Sequence, residues 1–239
     1  MQWLVILALA ATSLVFVVNV NDSTMLKRPI LYFSAGLLAA MWLSRSFENM
    51  KFEKTFSAMD VVVAAYVAIA AISLLNAPNL RLGAIGLADI GCFFILFMVC
   101  TELFQDRRFA QRFLNSLMII AALACLVAFY QIFSSGQSQS PFTPRVRETI
   151  STFGNVTYFA GFLAPMVVII AAQIMVSRRN AHRLIMGILL LVMIYILITT
   201  ESRSGWAGAA AGVFLLIFLN VPPGRTRWIV MGSLLAAGI

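Results

Sequence analysis

The chain has 239 residues, of which 62% are hydrophobic and 11% are charged, with a formal net charge of +8 and a mean hydropathy of +0.95. Soluble domains contain about 45–50% apolar and about 25% charged residues, so this composition excludes a water-soluble fold and indicates a lipid bilayer as solvent. The basic residues stand in short gaps between apolar runs, which is typical of membrane topology signals, so nucleic acid is not an expected partner.

The apolar runs predict eight complete spans and the start of a ninth. About 20 helical residues cross about 30 Å of hydrocarbon, and backbone groups in lipid must bond within their own segment, so each span is predicted to be a helix. In chain order the spans are 3–20, 29–44, 56–75, 82–101, 113–133, 157–177, 184–200 and 205–220, with the ninth beginning near Trp228.

These spans predict an all-α, polytopic transmembrane helix bundle that forms one domain over residues 1–239. The first run lacks a basic leading segment, which favours a membrane helix over the alternative of a cleaved signal peptide. The last residues, MGSLLAAGI, form an apolar half-span without a polar cap, so we expect the chain to be the N-terminal part of a longer protein.

The distribution of basic residues predicts the orientation of the chain. Eleven of the 17 lysines and arginines lie in the gaps after spans two, four, six and eight. The positive-inside rule therefore places the N-terminus in the cytoplasm, and the gaps near 21–28, 76–81, 134–152 and 201–204 face outward. The cluster at 178–183, which contains the lone His182, is predicted to be a cytoplasmic topology anchor near anionic lipids.

No metal or cofactor is predicted. A single histidine makes a poor metal site, and Cys92, Cys100 and Cys125 all lie inside apolar runs, where cysteine behaves as a small hydrophobe.

Three arginines, Arg145, Arg147 and Arg203, face outward in this topology, against the orientation rule. A guanidinium group is a planar fork that suits phosphate or carboxylate, so these arginines are candidate ligands of a diphosphate. The alternative is that they extend toward lipid phosphates at the interface.

Two tight outward turns carry the other candidate residues. In residues 199–205, Ser204 and Gly205 can begin the following helix, whose dipole would add to an anion site; alternatively, Glu201 neutralises Arg203 locally. In residues 152–155, Asn155 offers donor and acceptor groups, although capping of the sixth span would also explain it.

Two acidic residues fall inside apolar runs, where a charged group is a functional candidate by default. Asp60 lies near the cytoplasmic end of its span, within reach of water. Asp89 lies about two turns inward from the outer end and could face Arg81 or another outer arginine.

Residues 147–161, RETISTFGNVTYFAG, resemble the GTFGNPNYLAG stretch of the O-antigen ligase superfamily. Residues 200–206, TESRSGW, resemble its T-x-S-R-[SG]-G turn, and residues 72–77, ISLLNA, resemble the turn that ends its third span. The resemblance covers roughly residues 55–220. One departure is Val156-Thr157, where the family often has Pro-Asn.

The resemblance implies a glycan transferase of the bacterial inner membrane, within lipopolysaccharide or related cell-envelope synthesis. Such enzymes move glycan from an undecaprenyl-diphosphate carrier to a hydroxyl of an acceptor glycolipid or glycan, without a metal. It implies that Arg203 contacts the carrier diphosphate or glycan, with Arg147 or Arg145 as a second contact. The family's large outer loop, with a further arginine and a histidine, comes after the ninth span or later, so the catalytic base is expected outside this chain, which alone would be inactive.

The leading alternative is a secondary transporter or permease for a small anionic solute, for which Asp89 is the residue that comes nearest to the expected pattern. A non-catalytic membrane scaffold is a third possibility. The choice between ligase, polymerase and protein glycosylation stays open, although the TFGN and SRSG sequences resemble the ligase branch more closely.

The predicted orientation can be tested with reporter fusions. Alkaline phosphatase inserted within residues 134–152 should be active, because that gap is predicted to leave the cytoplasm, whereas the same reporter at residues 178–183 should be inactive. The reverse pattern would invert the topology and end the argument for an outer-face site.

Overall fold

The computed structural model describes residues 1–15, 24–48, 57–134 and 151–220. Every regular element in these ranges is helical, which confirms the all-α class. Within the described ranges, two short 3-10 turns, Leu74–Asn76 and Ser151–Phe153, accompany eight α-helices: α1 (Gln2–Leu14), α2 (Thr24–Glu48), α3 (Ala58–Ser73), α4 (Leu80–Leu103), α5 (Arg107–Ser134), α6 (Val156–Val176), α7 (Asn180–Thr199) and α8 (Arg203–Asn220).

Six of these helices, α3 to α8, form segments long and apolar enough to cross a membrane. Of the other two, α1 has 13 residues, and α2 has 25 residues but carries several charged side chains. The helices therefore indicate a membrane protein with several spans. The eight complete spans and the cytoplasmic N-terminus stay predictions, and the predicted ninth span lies outside the described residues.

Each of the eight predicted spans overlaps one helix, and the differences lie at the ends. The largest difference between a predicted and an observed helix start is in α5, which begins at Arg107 rather than at residue 113. Asp106 caps this helix: its Oδ1 accepts a hydrogen bond from the Arg108 N–H at 2.9 Å, and its carbonyl accepts one from the Ala110 N–H at 3.0 Å. A capped polar turn extends the helix beyond the apolar run, so hydropathy places the start too late.

The chain divides into two compact units, which are described separately. Among the described residues, the first unit contains residues 1–15, 24–48 and 57–116, and the second contains residues 117–134 and 151–220. The boundary falls within α5.

The first unit is built around a buried cluster from α1, α2, α4 and the start of α5, formed by Val5, Ile6, Leu38, Val99, Leu103 and Phe109. Helices α2 and α4 run parallel. Near their starts the Tyr32 hydroxyl donates to Asp89 Oδ1 at 2.8 Å, and near their ends Trp42 Nε1 donates to Glu102 Oε2 at 2.6 Å. Polar bonds thus fix the register of this helix pair at both ends.

Asp89 pairs with an arginine, as predicted, and the partner is Arg28 rather than Arg81. The Arg28 Nε lies 3.4 Å from Asp89 Oδ2, while the other carboxylate oxygen accepts from Tyr32. An acidic group in an apolar helix is costly unless paired. The pairing of α2 with α4 accounts for Asp89 structurally.

Asp60 also has a structural explanation. It is buried at the third position of α3, where its Oδ2 accepts from the Ser57 N–H at 2.8 Å and its N–H donates to Ser57 Oγ at 3.2 Å. This reciprocal pair is a capping box, which satisfies two backbone donors at the helix start.

The second unit packs α6 against both α7 and α8. Glycines of α8 meet residues of α6 at one-turn intervals, and the facing pairs advance in the same direction along both helices: Gly205 with Ala160, Gly208 with Ala164, and Gly212 with Val168. The two helices therefore run parallel, and the small residues let their backbones approach closely.

This close approach predicts different outcomes for two neighbouring glycine substitutions. A Cβ added at Gly205 would lie 2.6 Å from the Cβ of Ala160, which cannot rotate away, whereas one added at Gly208 would lie 3.7 Å from the Cβ of Ala164. Gly205→Ala should reduce the free energy of unfolding by about 1–3 kcal/mol relative to Gly208→Ala, because both gain the same helix propensity and only the first overpacks. Thermal unfolding in detergent, followed by tryptophan fluorescence, measures the difference; equal melting temperatures would contradict the packing.

Candidate functional site

The first motif, residues 152–155, leads into the start of α6. Asn155 is the N-cap: its Oδ1 accepts hydrogen bonds from the N–H groups of Thr157 at 2.8 Å and Tyr158 at 3.4 Å. The preceding Gly154 has a φ of 69°, a conformation that glycine adopts without steric cost. The capping interpretation of Asn155 is therefore correct, but it occupies only the side-chain oxygen, and the amide nitrogen of this exposed residue can still donate to a ligand.

Behind this motif lies a polar contact that the sequence did not reveal. Ser151 is fully buried, with a φ of 49°. The amide of Gln131 holds its backbone from both sides: Gln131 Oε1 accepts from the Ser151 N–H at 2.8 Å, and Gln131 Nε2 donates to the Ser151 carbonyl at 3.1 Å. The Ser151 hydroxyl donates to the carbonyl of Ala124 at 2.7 Å. These bonds fix the segment that leads into α6 against α5.

The second motif, residues 199–205, joins α7 to α8 in a tight turn. The Leu197 carbonyl accepts from the Thr200 hydroxyl at 2.6 Å and from Trp206 Nε1 at 2.8 Å. The hydroxyls of Ser202 and Ser204 lie 3.2 Å apart. The Trp206 bond crosses the turn, so the start of α8 is anchored to the end of α7.

Strained backbone stands directly before the first motif and within the second. Ser151 and Glu201, with φ values of 49° and 52°, are the non-glycine residues with positive φ in the described part of the chain. This conformation costs a residue with a side chain about 1–2 kcal/mol. Strain of this kind persists only where the surroundings enforce it, and it concentrates at functional sites.

The fold brings the two motifs to the same end of the second unit. Because α6 and α8 are parallel and Gly205 meets Ala160, Asn155 and Arg203 stand at two adjacent helix starts. Each helix start carries the partial positive charge of its helix dipole, and the two dipoles reinforce each other toward an anion.

Arg203 supplies a full positive charge at this place. It is the first residue of α8, its side chain is exposed, and it has no ion-pair partner among the described residues. The alternative of local neutralisation by Glu201 is therefore not observed in this part of the chain. Ser204 beside it is also exposed, with a hydroxyl oriented toward Ser202.

The predicted second contacts, Arg145 and Arg147, lie outside the described residues. Of the predicted ligands, the structure thus describes Arg203, Asn155 and Ser204 and brings their three backbone positions to one end of α6 and α8. Within the described ranges, no group of three or more His, Cys, Asp or Glu residues could hold a metal ion.

Sequence inspection missed Gln131 and Ser151. The available signal for Gln131 was its amide near the end of the apolar run 113–133, where a polar group needs a partner. For Ser151 no signal existed, because a serine before a glycine-containing turn is ordinary.

No protein-family model, no curated protein and no solved structure matches this chain.

The contact between Gln131 and Ser151 predicts that Gln131→Leu loosens the start of α6. The change removes both partners of a buried backbone N–H and carbonyl, which costs about 1–3 kcal/mol for each group left unpaired. Hydrogen–deuterium exchange should show lost protection at the Ser151 amide, while Gln173→Leu, near the other end of α6, should leave it unchanged. Unaltered exchange at Ser151 in Gln131→Leu would show that the hydrogen bonds from Gln131 do not hold this segment in place.

Proposed function

We propose that the chain is the membrane portion of a glycan transferase of the O-antigen ligase type. It takes glycan from an undecaprenyl-diphosphate carrier and passes it to an acceptor hydroxyl at the outer face of the bacterial inner membrane. The observation that carries the proposal is the pairing of the TFGN and SRSG segments at two adjacent, parallel helix starts. Those are the segments that resemble the superfamily.

The chemistry of this place suits the carrier's diphosphate. The guanidinium of Arg203 can form two parallel hydrogen bonds to phosphate oxygens, and it has no competing ion pair among the described residues. The two helix starts add partial positive charge, and the Asn155 amide nitrogen and the Ser204 hydroxyl add neutral donors. Such a set binds an anion without needing a metal.

The same groups would favour the transfer step. In that step the acceptor oxygen bonds to the anomeric carbon, the bond from that carbon to the diphosphate breaks, and the carrier leaves as an anion. Donors fixed by the fold stabilise the charge that develops on the leaving group. A general base must take the hydroxyl proton, and we assign no residue described here to that role.

The depth of the site suits a lipid-linked donor. Helices α6 and α8 have 21 and 18 residues, which correspond to about 32 Å and about 27 Å, close to the thickness of the hydrocarbon layer. Their starts would then lie at the headgroup level, where the diphosphate of a membrane-anchored carrier sits.

Replacement of Arg203 should weaken carrier binding. Arg203→Ala should raise the Kd for undecaprenyl diphosphate in detergent by at least about tenfold, and Arg203→Lys should retain part of the affinity, because an ammonium keeps the charge but loses the fork. Arg81→Ala, which removes an exposed arginine predicted to face the same side, is the matched control and should bind normally.

The transfer reaction itself is tested with the protein expressed from its complete open reading frame. Reconstituted with carrier-linked glycan and acceptor, it should label the acceptor, and Arg203→Ala should lower that rate about 100-fold or more. Full transfer by Arg203→Ala would remove the site assignment. Solute uptake without any glycan transfer would favour the permease instead.

A further inference from the structure

The turn between α6 and α7 concentrates positive charge, and residues 177–183 contain no acidic side chain. We call Arg178, Arg179 and Arg183 the basic turn. All three side chains are exposed, and none has a hydrogen-bond or ion-pair partner in the described ranges. His182 lies among them half-buried, with an enclosed Nδ1 that has no hydrogen-bond partner there either.

Within the described part of the second unit, no carboxylate lies close enough to neutralise the basic turn. Among the described residues of the second unit, the single acidic residue is Glu201, which stands 18 positions beyond Arg183. Along a helix that separation is about 27 Å, well beyond the screening length of about 8 Å at physiological salt.

The local helix geometry makes the charge concentration stronger. Arg179 is the N-cap of α7, and the Arg183 N–H donates to its carbonyl at 3.0 Å. Side chains four residues apart lie on one face, where like charges repel. The Arg179 side chain makes no capping bond, so the first N–H groups of α7 have no side-chain partner and add their own partial positive charge.

Helix lengths indicate that the basic turn would lie at the depth of lipid phosphates. Helices α6 and α7 have 21 and 20 residues, each about 30 Å long, so the turn between them emerges at the edge of the hydrocarbon layer. Next to the arginines, Val176, Leu184 and Ile185 expose 81%, 66% and 61% of their surface. The surface is therefore basic at the rim and apolar immediately below it.

The turn between α4 and α5 provides an internal contrast. It also carries arginines, but Asp106 lies within it, and the backbone N–H of Arg108 lowers the pKa of that carboxyl, which keeps it charged. Glu102 precedes the same turn and accepts a hydrogen bond from Trp42, while Arg112 donates to Gln2 at 3.5 Å. That turn contains acidic groups of its own, whereas the basic turn does not.

We propose that the basic turn binds the phosphate headgroup of an anionic phospholipid, with the acyl chains lying over Val176, Leu184 and Ile185. A phosphate between the guanidinium groups relieves their mutual repulsion and pairs with the exposed start of α7. The apolar surface below fits the chains of the same lipid, which a soluble anion lacks. The proposal does not depend on glycan transfer.

The test uses the purified chain in neutral detergent, titrated with phosphatidylglycerol or with phosphatidylcholine, and bound lipid is measured by native mass spectrometry. The wild type should prefer phosphatidylglycerol. Arg178→Gln with Arg183→Gln should weaken phosphatidylglycerol binding about 30-fold, the factor to which the loss of two interfacial arginines, each worth about 1 kcal/mol toward an anionic lipid, converts. Arg107→Gln with Arg108→Gln removes the same charge at the acid-containing turn and should leave binding unchanged.

Three results would overturn the proposal. Equal loss in the two double variants would mean that net charge alone attracts the lipid. Competition by millimolar inorganic phosphate would indicate a site for a soluble anion. Equal binding of the two phospholipids by the wild type would show no headgroup preference. Circular dichroism of both double variants establishes that the helices remain intact.

Discussion

The close parallel contact of α6 and α8 is the constraint on which the candidate site depends. Gly205 faces Ala160 with no room for a side chain, and the following pairs repeat the contact one turn apart. Without a hydrophobic force between helices in lipid, such small residues supply the contact area that holds two helices together. Because the helices are parallel, their starts coincide, and Asn155 and Arg203 arrive at the same end of the second unit.

The apolar surroundings determine how the polar residues are used. An unpaired polar group in hydrocarbon costs several kcal/mol, so polar side chains within these helices bond to one another or to the backbone. Asp89 pairs with Arg28 and accepts a hydrogen bond from Tyr32. Asp60 is hydrogen-bonded to Ser57, and Gln131 is hydrogen-bonded to the backbone of Ser151. Arg203 and the three arginines of the basic turn, which are exposed and have no ion-pair partner among the described residues, are the two places where we propose that an anion binds. Arg203 lies at one end of the second unit, and the basic turn lies at the other.

Much of the helical organisation was predictable, because long apolar runs leave the backbone no alternative to a helix. Errors concentrated at helix ends, as at α5, where the cap supplied by Asp106 extends the helix past the apolar run. Asp89 was recognisable as a residue in need of a partner, but the choice of Arg28 required the pairing of α2 with α4. Gln131 and Ser151 were missed because they are 20 positions apart and each is ordinary by itself.

The sequence by itself determined the solvent, the helical class and the two segments that carry the candidate chemistry, because hydropathy and turn-forming residues are local properties. The tertiary structure decided which helices are neighbours, that α6 and α8 run parallel, and that Ser151 and Glu201 adopt left-handed backbone conformations. Those outcomes depend on whether surfaces far apart in the chain fit together. The fit at Gly205 rests on the absence of a single Cβ, whose consequence appears only when Ala160 is placed opposite it.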